Sequence, residues 1–324
     1  MAIESILVTA ASGNIGKRLI PLLLSSFPSA KLVLPTSSAS RLASYTSNPR
    51  ISIEEGSITD PQWLEHLCTS HAVNTVFLNV TGTDELFTAM NALDSFQRSG
   101  TVKHLVYVSG AGDWTSPAGI QALFERHTAA HVLVKTVVEQ KLQYGGFHFT
   151  WTVLGPTLFF DNDLRFPNLL KNGYYDIPLG SAGVSRVSCA DIALAAVKAI
   201  ADGGKTLGGK KIALGSLQQY TDVETAGLWS EALGREVRIR AANVEGWESF
   251  EVASVALAGK VWGREIALMY RVFAEDGWGM SAEEYAFQVQ VLGKEPERYR
   301  DWVVELAKGE KDGMESARSC EASG

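Results

Sequence analysis

The chain has 324 residues, 46% of them hydrophobic and 20% charged, which excludes a disordered chain and allows one large core or two ordinary ones. Its 29 Lys and Arg against 36 Asp and Glu leave a formal charge of −7, which argues against general nucleic-acid or anionic-membrane binding. Cys68, Cys189 and Cys320 lie too far apart in sequence to suggest a disulfide framework or a metal site, and with no secretory pattern or membrane-length apolar run a cytoplasmic setting is expected.

The first unit is the most informative. Ile6–Gly16 reads ILVTAASGNIG: an uncharged strand, a tight turn, and the entry to an amphipathic helix over Lys17–Ser26. That is the opening of a nucleotide-binding β-α-β fold. A cofactor pyrophosphate must approach bare backbone closely and sit on the unpaired amides of a helix N-terminus. Gly13 and Gly16 supply two of the small positions in a Gly-x-x-Gly-x-x-Gly spacing, and Ala10 takes the third. Thr9, Ala10, Ser12, Gly13, Asn14, Ile15 and Gly16 are the candidate contacts.

Lys31–Leu34 reads as the second strand. An acidic residue usually meets the free ribose hydroxyls of NAD at its end, yet Lys17 to Ile53 contains none. Thr36, Ser37, Ser38 and Arg41 follow instead. Hydroxyls and a guanidinium suit a 2′-phosphate, so NADP(H) is expected over NAD(H), bound through Thr36, Ser37 and Arg41.

Arg50–Glu54 is a third strand. A helix follows it, capped by Thr59 or Asp60 with Pro61 in its first turn. Thr75–Val80 is a buried strand, Leu86–Arg98 a helix, and Lys103–Ser109 a fifth strand. This alternation predicts an α/β fold, a Rossmann-like doubly wound parallel sheet. Ligands then lie beyond the strand C-termini, where Thr9, Asn79, Thr81 and Ser109 sit; Asn79 and Thr81 join the cofactor candidates. The sequon Asn79-Val80-Thr81 ends a buried strand and is read as chance.

Ile120–Gln143 reads as one long helix with His127, His131, Lys135 and Glu139 on a single stripe. Short-chain dehydrogenases place a Tyr-x-x-x-Lys pair here, after a serine that ends strand five. No tyrosine in this chain has a lysine four residues on, but His131-Val-Leu-Val-Lys135 occupies the expected place. Lys135 is thus the candidate that holds the cofactor ribose, and His131 or Ser109 the candidate proton donor. The plainer alternatives are an ion pair between Lys135 and Glu139, and a solvated histidine. His127 and Glu139 are read as helix surface.

Thr150–Leu154 is strand six. Thr157–Gly183 is aromatic and loop-like, Cys189-Ala190-Asp191 opens a helix running through Ile200, and Lys210–Leu214 is a return strand. The remainder is mostly helical: Thr221–Leu233, Val244–Leu257, Trp262–Phe273, Ala282–Leu292 and Glu295–Leu306. A polar tail from 309 to 324 is expected to be disordered. The expected domains are residues 1–155, completed by about 185–215, and a substrate lobe of 156–184 and 216–308. Gly204-Lys205-Thr206 lacks the leading glycine of a phosphate loop, and Asp161-Asn162-Asp163 lacks the glycine and distal Glu of a calcium loop. Trp114, Phe159, Phe160 and Asn162 are the candidate substrate contacts.

In this order the strings TAASGNIG, EEGSITD, Lys135-Thr-Val-Val-Glu139, TVLGPTLFFDN, VSCADIALAAVKAI, ETAGLWSEALGREV and VLGKEP resemble the NmrA-like family of atypical short-chain dehydrogenases, which includes isoflavone-reductase-like enzymes and reductases of fungal secondary metabolism. The resemblance runs from about Ile6 to Leu306. It implies a Rossmann domain with a smaller C-terminal substrate lobe and NADP(H) as the usual cofactor. It matches Gly13, Asn14, Ile15 and Gly16 to the phosphate turn, Lys135 to the family lysine, and Asn162 to the asparagine after strand six. Two departures stand out: Ala10 replaces the first glycine, and Gly155 stands where the family often has arginine before Pro156.

The expected function is an NADPH-dependent reductase of a small apolar or aromatic metabolite, passing hydride to a C=C, C=N or C=O bond. The family leaves two alternatives open. One is a non-redox isomerase or cyclase in a biosynthetic pathway; the other is an NADP(H)-sensing regulator that binds a protein partner.

Overall fold

The computed structural model describes residues 3–126, 128–166, 168–240 and 244–309. His127, Cys320 and the tail after 309 lie outside the described residues. The chain divides into two compact units, one of residues 1–156, 189–214 and 282–294, the other of 157–188, 215–281 and 295–324.

The first unit is built on seven strands: β1 (Ser5–Val8), β2 (Lys31–Thr36), β3 (Ile51–Glu55), β4 (Thr75–Leu78), β5 (His104–Val108), β6 (Thr150–Pro156) and β7 (Lys210–Leu214). Between them run helices α1 (Asn14–Ser26), α2 (Pro61–Ser70), α3 (Glu85–Ser99), α4 (Pro117–Arg126), α5 (Ala130–Tyr144) and α6 (Cys189–Asp202), with α7 (Ala282–Leu292) after β7. The strands pair in the order β7-β6-β5-β4-β1-β2-β3, and every pairing in that sheet is parallel.

The strand sequences explain this arrangement. In β1, β4 and β5 every residue is buried, as a parallel sheet covered on both faces requires. Leu7, Val33, Val76, Leu105 and Tyr107 turn to one face, where they form a core with Leu64, Leu67, Leu93, Phe96, Val138 and Leu142 of α2, α3 and α5. Their neighbours Ile6, Val8, Phe77 and Val106 are buried on the other face by the two-residue alternation of a strand. α1 and α6 pack together. Strand order reverses between β1 and β4, and a doubly wound sheet opens its ligand crevice beyond the strand ends at that point.

Local signals account for the element ends. Asp60 caps α2 by accepting from the Gln62 and Trp63 amides, with Pro61 in the first turn. α3 ends at Gly100 in the left-handed region.

Two expectations about this unit change. The helix expected over 120–143 is two helices, α4 ending at Arg126 and α5 starting at Ala130. No glycine or proline marks that break, so the apolar periodicity runs through it. Residues 282–294, read as part of the second lobe, pack in the first: α7 lies against β7 and α6, and Lys294 pairs with Asp191 at 2.8 Å.

The second unit contains a three-stranded sheet of Leu158–Phe159, Val184–Val187 and Gln219–Tyr220. Its longer helices are Asp222–Leu233, Val244–Ala258 and Lys260–Asp276, with a further helix over 299–309. Thr221 and Glu224 form a capping box at the start of Asp222–Leu233. Its core is aromatic, with Trp229, Tyr175, Tyr270, Tyr299 and Phe160 fully buried. They surround a buried ion pair in which Arg186 donates to Asp163 at 2.7 Å. Asp163 also accepts from Tyr175, Trp229 and Tyr299. Both Asp163 oxygens are thereby engaged, and removing one partner of a charge pair this deep costs about 3–5 kcal/mol.

Candidate functional site

The phosphate turn joins β1 to α1. Ala10, exposed at its tip, has a φ of +51°, a backbone conformation that glycine adopts without strain. The Gly13 amide donates to the Ala10 carbonyl at 2.9 Å, closing the turn. Gly16 is the tightest position: a Cβ there would lie 2.4 Å from the Ala11 carbonyl oxygen and 2.5 Å from that of Ala10. Gly13 is looser, with Ala10 O at 3.2 Å. α1 starts without a side-chain cap at Gly13 and has no acidic residue in its first turn. An anion-binding helix terminus needs both features, so the residues present fit a dinucleotide pyrophosphate. Gly13 and Asn14 are exposed, Ser12 is half-buried, and Ile15 is buried as the apolar anchor of the first turn.

Thr9 has another role. Its hydroxyl donates to the carbonyls of Phe77 and Asn79 and accepts from the Asn79 amide at 2.8 Å. It ties the ends of β1 and β4 together beneath the turn, and so shapes the crevice floor without presenting a free hydroxyl. Asn79 is half-buried and Thr81 exposed just beyond β4.

At the end of β2, Thr36 is engaged with Ser38, donating to its carbonyl and accepting from its amide. Ser37 and Arg41 are exposed. The expectation of a carboxylate-free rim is corrected here. Glu55, at the end of β3, pairs in register with Thr36, and its Oε2 accepts from the Ala39 amide at 3.2 Å. A search for acids along β2 alone misses it, because the carboxylate comes from the adjacent strand.

The catalytic candidates also have different partners from those expected. Lys135 on α5 donates to Glu85 Oε1 at 2.5 Å, across to the first residue of α3. Glu85 is buried; burial raises its carboxyl above the usual range, opposed by the Lys135 charge. Glu139, read as helix surface, is only 2% exposed. Its Oε1 accepts from the Ser109 hydroxyl at 2.5 Å and from Lys211 Nζ at 2.8 Å. Lys211 lies on β7 and was not singled out in the sequence, where it reads as an ordinary strand-end lysine. Its Nζ sits 4.1 Å above the ring of Trp114, which is buried and so serves as a platform for the lysine. Gln140 donates to the Trp114 carbonyl, and Asp113 closes the same loop by accepting from the Thr115 and Ser116 amides. His131 is half-buried at the first turn of α5.

In the second unit, Phe160 is a core residue. Its ring packs on Tyr299 and Trp302 at 5.2 and 5.6 Å, and it is fully buried, which removes it as a substrate wall. Asn162 is buried and Phe159 half-buried in the same segment.

Within the first unit, then, the sheet carries a turn built for pyrophosphate, a Lys135–Glu85 pair joining α5 to α3, and a Lys211–Glu139 pair joining β7 to α5 that also holds Ser109 at the end of β5. Such a set can orient a nucleotide and supply a proton. No group of side chains able to hold a metal ion occurs among the described residues, and no helix there is long and apolar enough to cross a membrane.

A family model described as NAD(P)H-binding matches residues 10–202, more than half of the chain. An NAD(P)H azoreductase of Xenophilus azovorans is 27% identical over 244 residues, 74% of this chain and 78% of that protein. Triphenylmethane reductase of Citrobacter sp., solved with NADP(H), superposes with a TM-score of 0.74 at 18% identity, over 93% of this chain and 99% of that one. NmrA, a negative transcriptional regulator solved with NADP, superposes with a TM-score of 0.66 at 16% identity, over 97% and 98%. With the seven-stranded parallel sheet and the phosphate turn in place, the chain belongs to the NAD(P)H-binding family and shares the fold of triphenylmethane reductase and NmrA.

Proposed function

We propose that this protein is an NADPH-dependent reductase that passes hydride to a small apolar or aromatic acceptor. The observation that carries the reading is the pairing of Glu139 with both Ser109 and Lys211, in the same unit as an uncapped glycine turn. A sensing protein needs the turn alone; a reductase of a neutral acceptor also needs a proton source. The azoreductase relative supports the same class of reaction.

The bound cofactor supplies the hydride. Gly13, Asn14 and Ile15 would hold the pyrophosphate through backbone amides, and Gly16 keeps the helix close to the turn. Lys135, held in place by Glu85, would donate to the ribose with an N–H that Glu85 does not use. Its positive charge would favour electron flow from the bound cofactor to the acceptor.

Arg41, Ser37 and the Ala39 amide would receive the 2′-phosphate of NADP(H). Glu55 competes for that amide, so it must turn away when the phosphate enters. It would instead welcome the free hydroxyls of NADH. The site therefore favours NADPH while accepting NADH.

The test is a tryptophan-fluorescence titration with NADPH and NADH, followed by NADPH oxidation with methyl red and malachite green as acceptors. Saturable NADPH binding with turnover of either dye is expected. Binding without turnover of either dye would fit the sensing reading and overturn this one.

A further inference from the structure

We infer that Lys211 and Glu139 deliver the proton of the reduction through Ser109, as a relay running from β7 across α5 to the end of β5. This rests on the reductase reading above.

Three geometric facts support it. First, one carboxylate oxygen, Glu139 Oε1, is shared by Ser109 Oγ at 2.5 Å and Lys211 Nζ at 2.8 Å, so donor and recipient meet on a single atom. Second, Glu139 Oε2 is buried with no hydrogen-bond partner among the described residues. That oxygen is left as an open acceptor beside the shared one. Third, Lys211 retains contact with solvent: its side chain is 17% exposed while that of Glu139 is 2%. Protons can therefore enter at the lysine end.

The charged groups facing Lys211 are Glu139 from α5, Asp113 from the loop after β5 and Glu284 from α7. Burial lowers the lysine's proton affinity, and these three carboxylates oppose the shift. A lysine whose proton affinity is lowered gives up its proton more readily during turnover. Lys135 differs in having a single buried partner, Glu85, one helix away.

The step balances as follows. A bound NADPH would supply the hydride; its addition to one nitrogen of an azo acceptor would leave the electron pair of the broken π bond on the other. The Ser109 hydroxyl hydrogen rotates toward that nitrogen and forms the N–H bond as its O–H bond breaks. Lys211 Nζ gives a proton to the Glu139 carboxylate as its N–H bond breaks, and the Glu139 O–H so formed passes it to Ser109 Oγ, leaving a carboxylate and a neutral amine. Solvent reprotonates the amine.

A triphenylmethane cation gives a clean control, because its central carbon needs only hydride and no proton. We compare wild type with Lys211→Gln, Lys211→Arg and Glu139→Gln, using NADPH with methyl red and with malachite green. The ratio of methyl red to malachite green turnover should fall about 100-fold in Lys211→Gln and Glu139→Gln, in the range of lost general acid catalysis. Lys211→Arg keeps the charge but cannot release a proton near neutral pH, so it should not restore the ratio. A second readout needs no turnover. Competitive acetylation of the cofactor-free protein, followed by mass spectrometry, should find Lys211 reactive at lower pH than the exposed Lys17 and Lys31.

An equal fall with both dyes would mark a structural role and overturn the relay. So would an unchanged ratio, restoration by arginine, reduction of malachite green alone by the wild type, or labelling of Lys211 only at the pH of the surface lysines. Wild type that binds NADPH and reduces neither dye would overturn the reductase reading, and the relay with it.

Discussion

Lys211 fills the space that Gly155 leaves open. A Cβ on Gly155 of β6 would lie 2.7 Å from Lys211 Cε and 2.9 Å from the Gly110 carbonyl oxygen. Lys211 is in register with Val153, two residues earlier on the same face of β6, so its stem runs past Gly155 toward Glu139. The glycine before Pro156 therefore does not leave the region without charge. It admits a cation from the neighbouring strand.

Gly155→Ala should accordingly displace the lysine. One side of the clash is a flexible stem and the other is backbone, so a loss of about 1–3 kcal/mol is expected, in the range of overpacking. Urea denaturation measures it. Methyl red turnover should fall with it, while NADPH affinity stays near that of wild type.

The two glycines of the turn should respond unequally. At Gly16 the added methyl meets two backbone oxygens at 2.4 and 2.5 Å, whereas at Gly13 it meets one at 3.2 Å. Gly16→Ala should weaken NADPH binding by about tenfold or more, since α1 must move off the turn. Gly13→Ala should weaken it only a few-fold. Calorimetric titration of both variants provides the comparison.

Glu55→Gln removes the negative charge beside the Ala39 amide. NADPH affinity should rise about threefold, the scale of a solvent-exposed charge contact, while NADH affinity stays level or falls. The ratio of the two dissociation constants reads this out, and the gain should shrink as salt is raised.

His104 gives the protein a pH dependence unrelated to catalysis. It is buried, with Nδ1 2.8 Å from Thr150 Oγ1, and burial lowers its pKa from 6.5 to about 4, only partly opposed by Asp202. As pH falls, the unfolded chain takes up this proton first. The contribution to stability is whole above about pH 6.5 and is lost between there and about pH 4. Between pH 7.5 and pH 5 the loss should be on the order of 2 kcal/mol. His104→Gln should flatten that part of a stability–pH curve measured in urea.

Much of this molecule is legible in the sequence, for an identifiable reason. Parallel strands buried on both faces are uncharged runs, and β7 is read at its observed bounds because turn residues flank it. The glycine turn shows because bare backbone has no substitute. What sequence reading misses depends on distance along the chain. Glu139 shares a helical stripe with Lys135 and looks solvated, yet its partner Lys211 is 72 residues away on another strand. Glu85 and Lys135 are 50 residues apart. Glu55 guards the end of β2 from the next strand, out of reach of a search along β2. Phe160 carries the character of a pocket residue, and only the rings of Tyr299 and Trp302 show it to be core.

The most direct measurement is isotope transfer. Malachite green is reduced by the protein with NADPH deuterated at C4 on either face in turn, and the colourless product is analysed by mass spectrometry. One deuterium on the central carbon, from one face only, is the expected result. NADPH that binds saturably while no deuterium reaches the dye from either face would contradict the account.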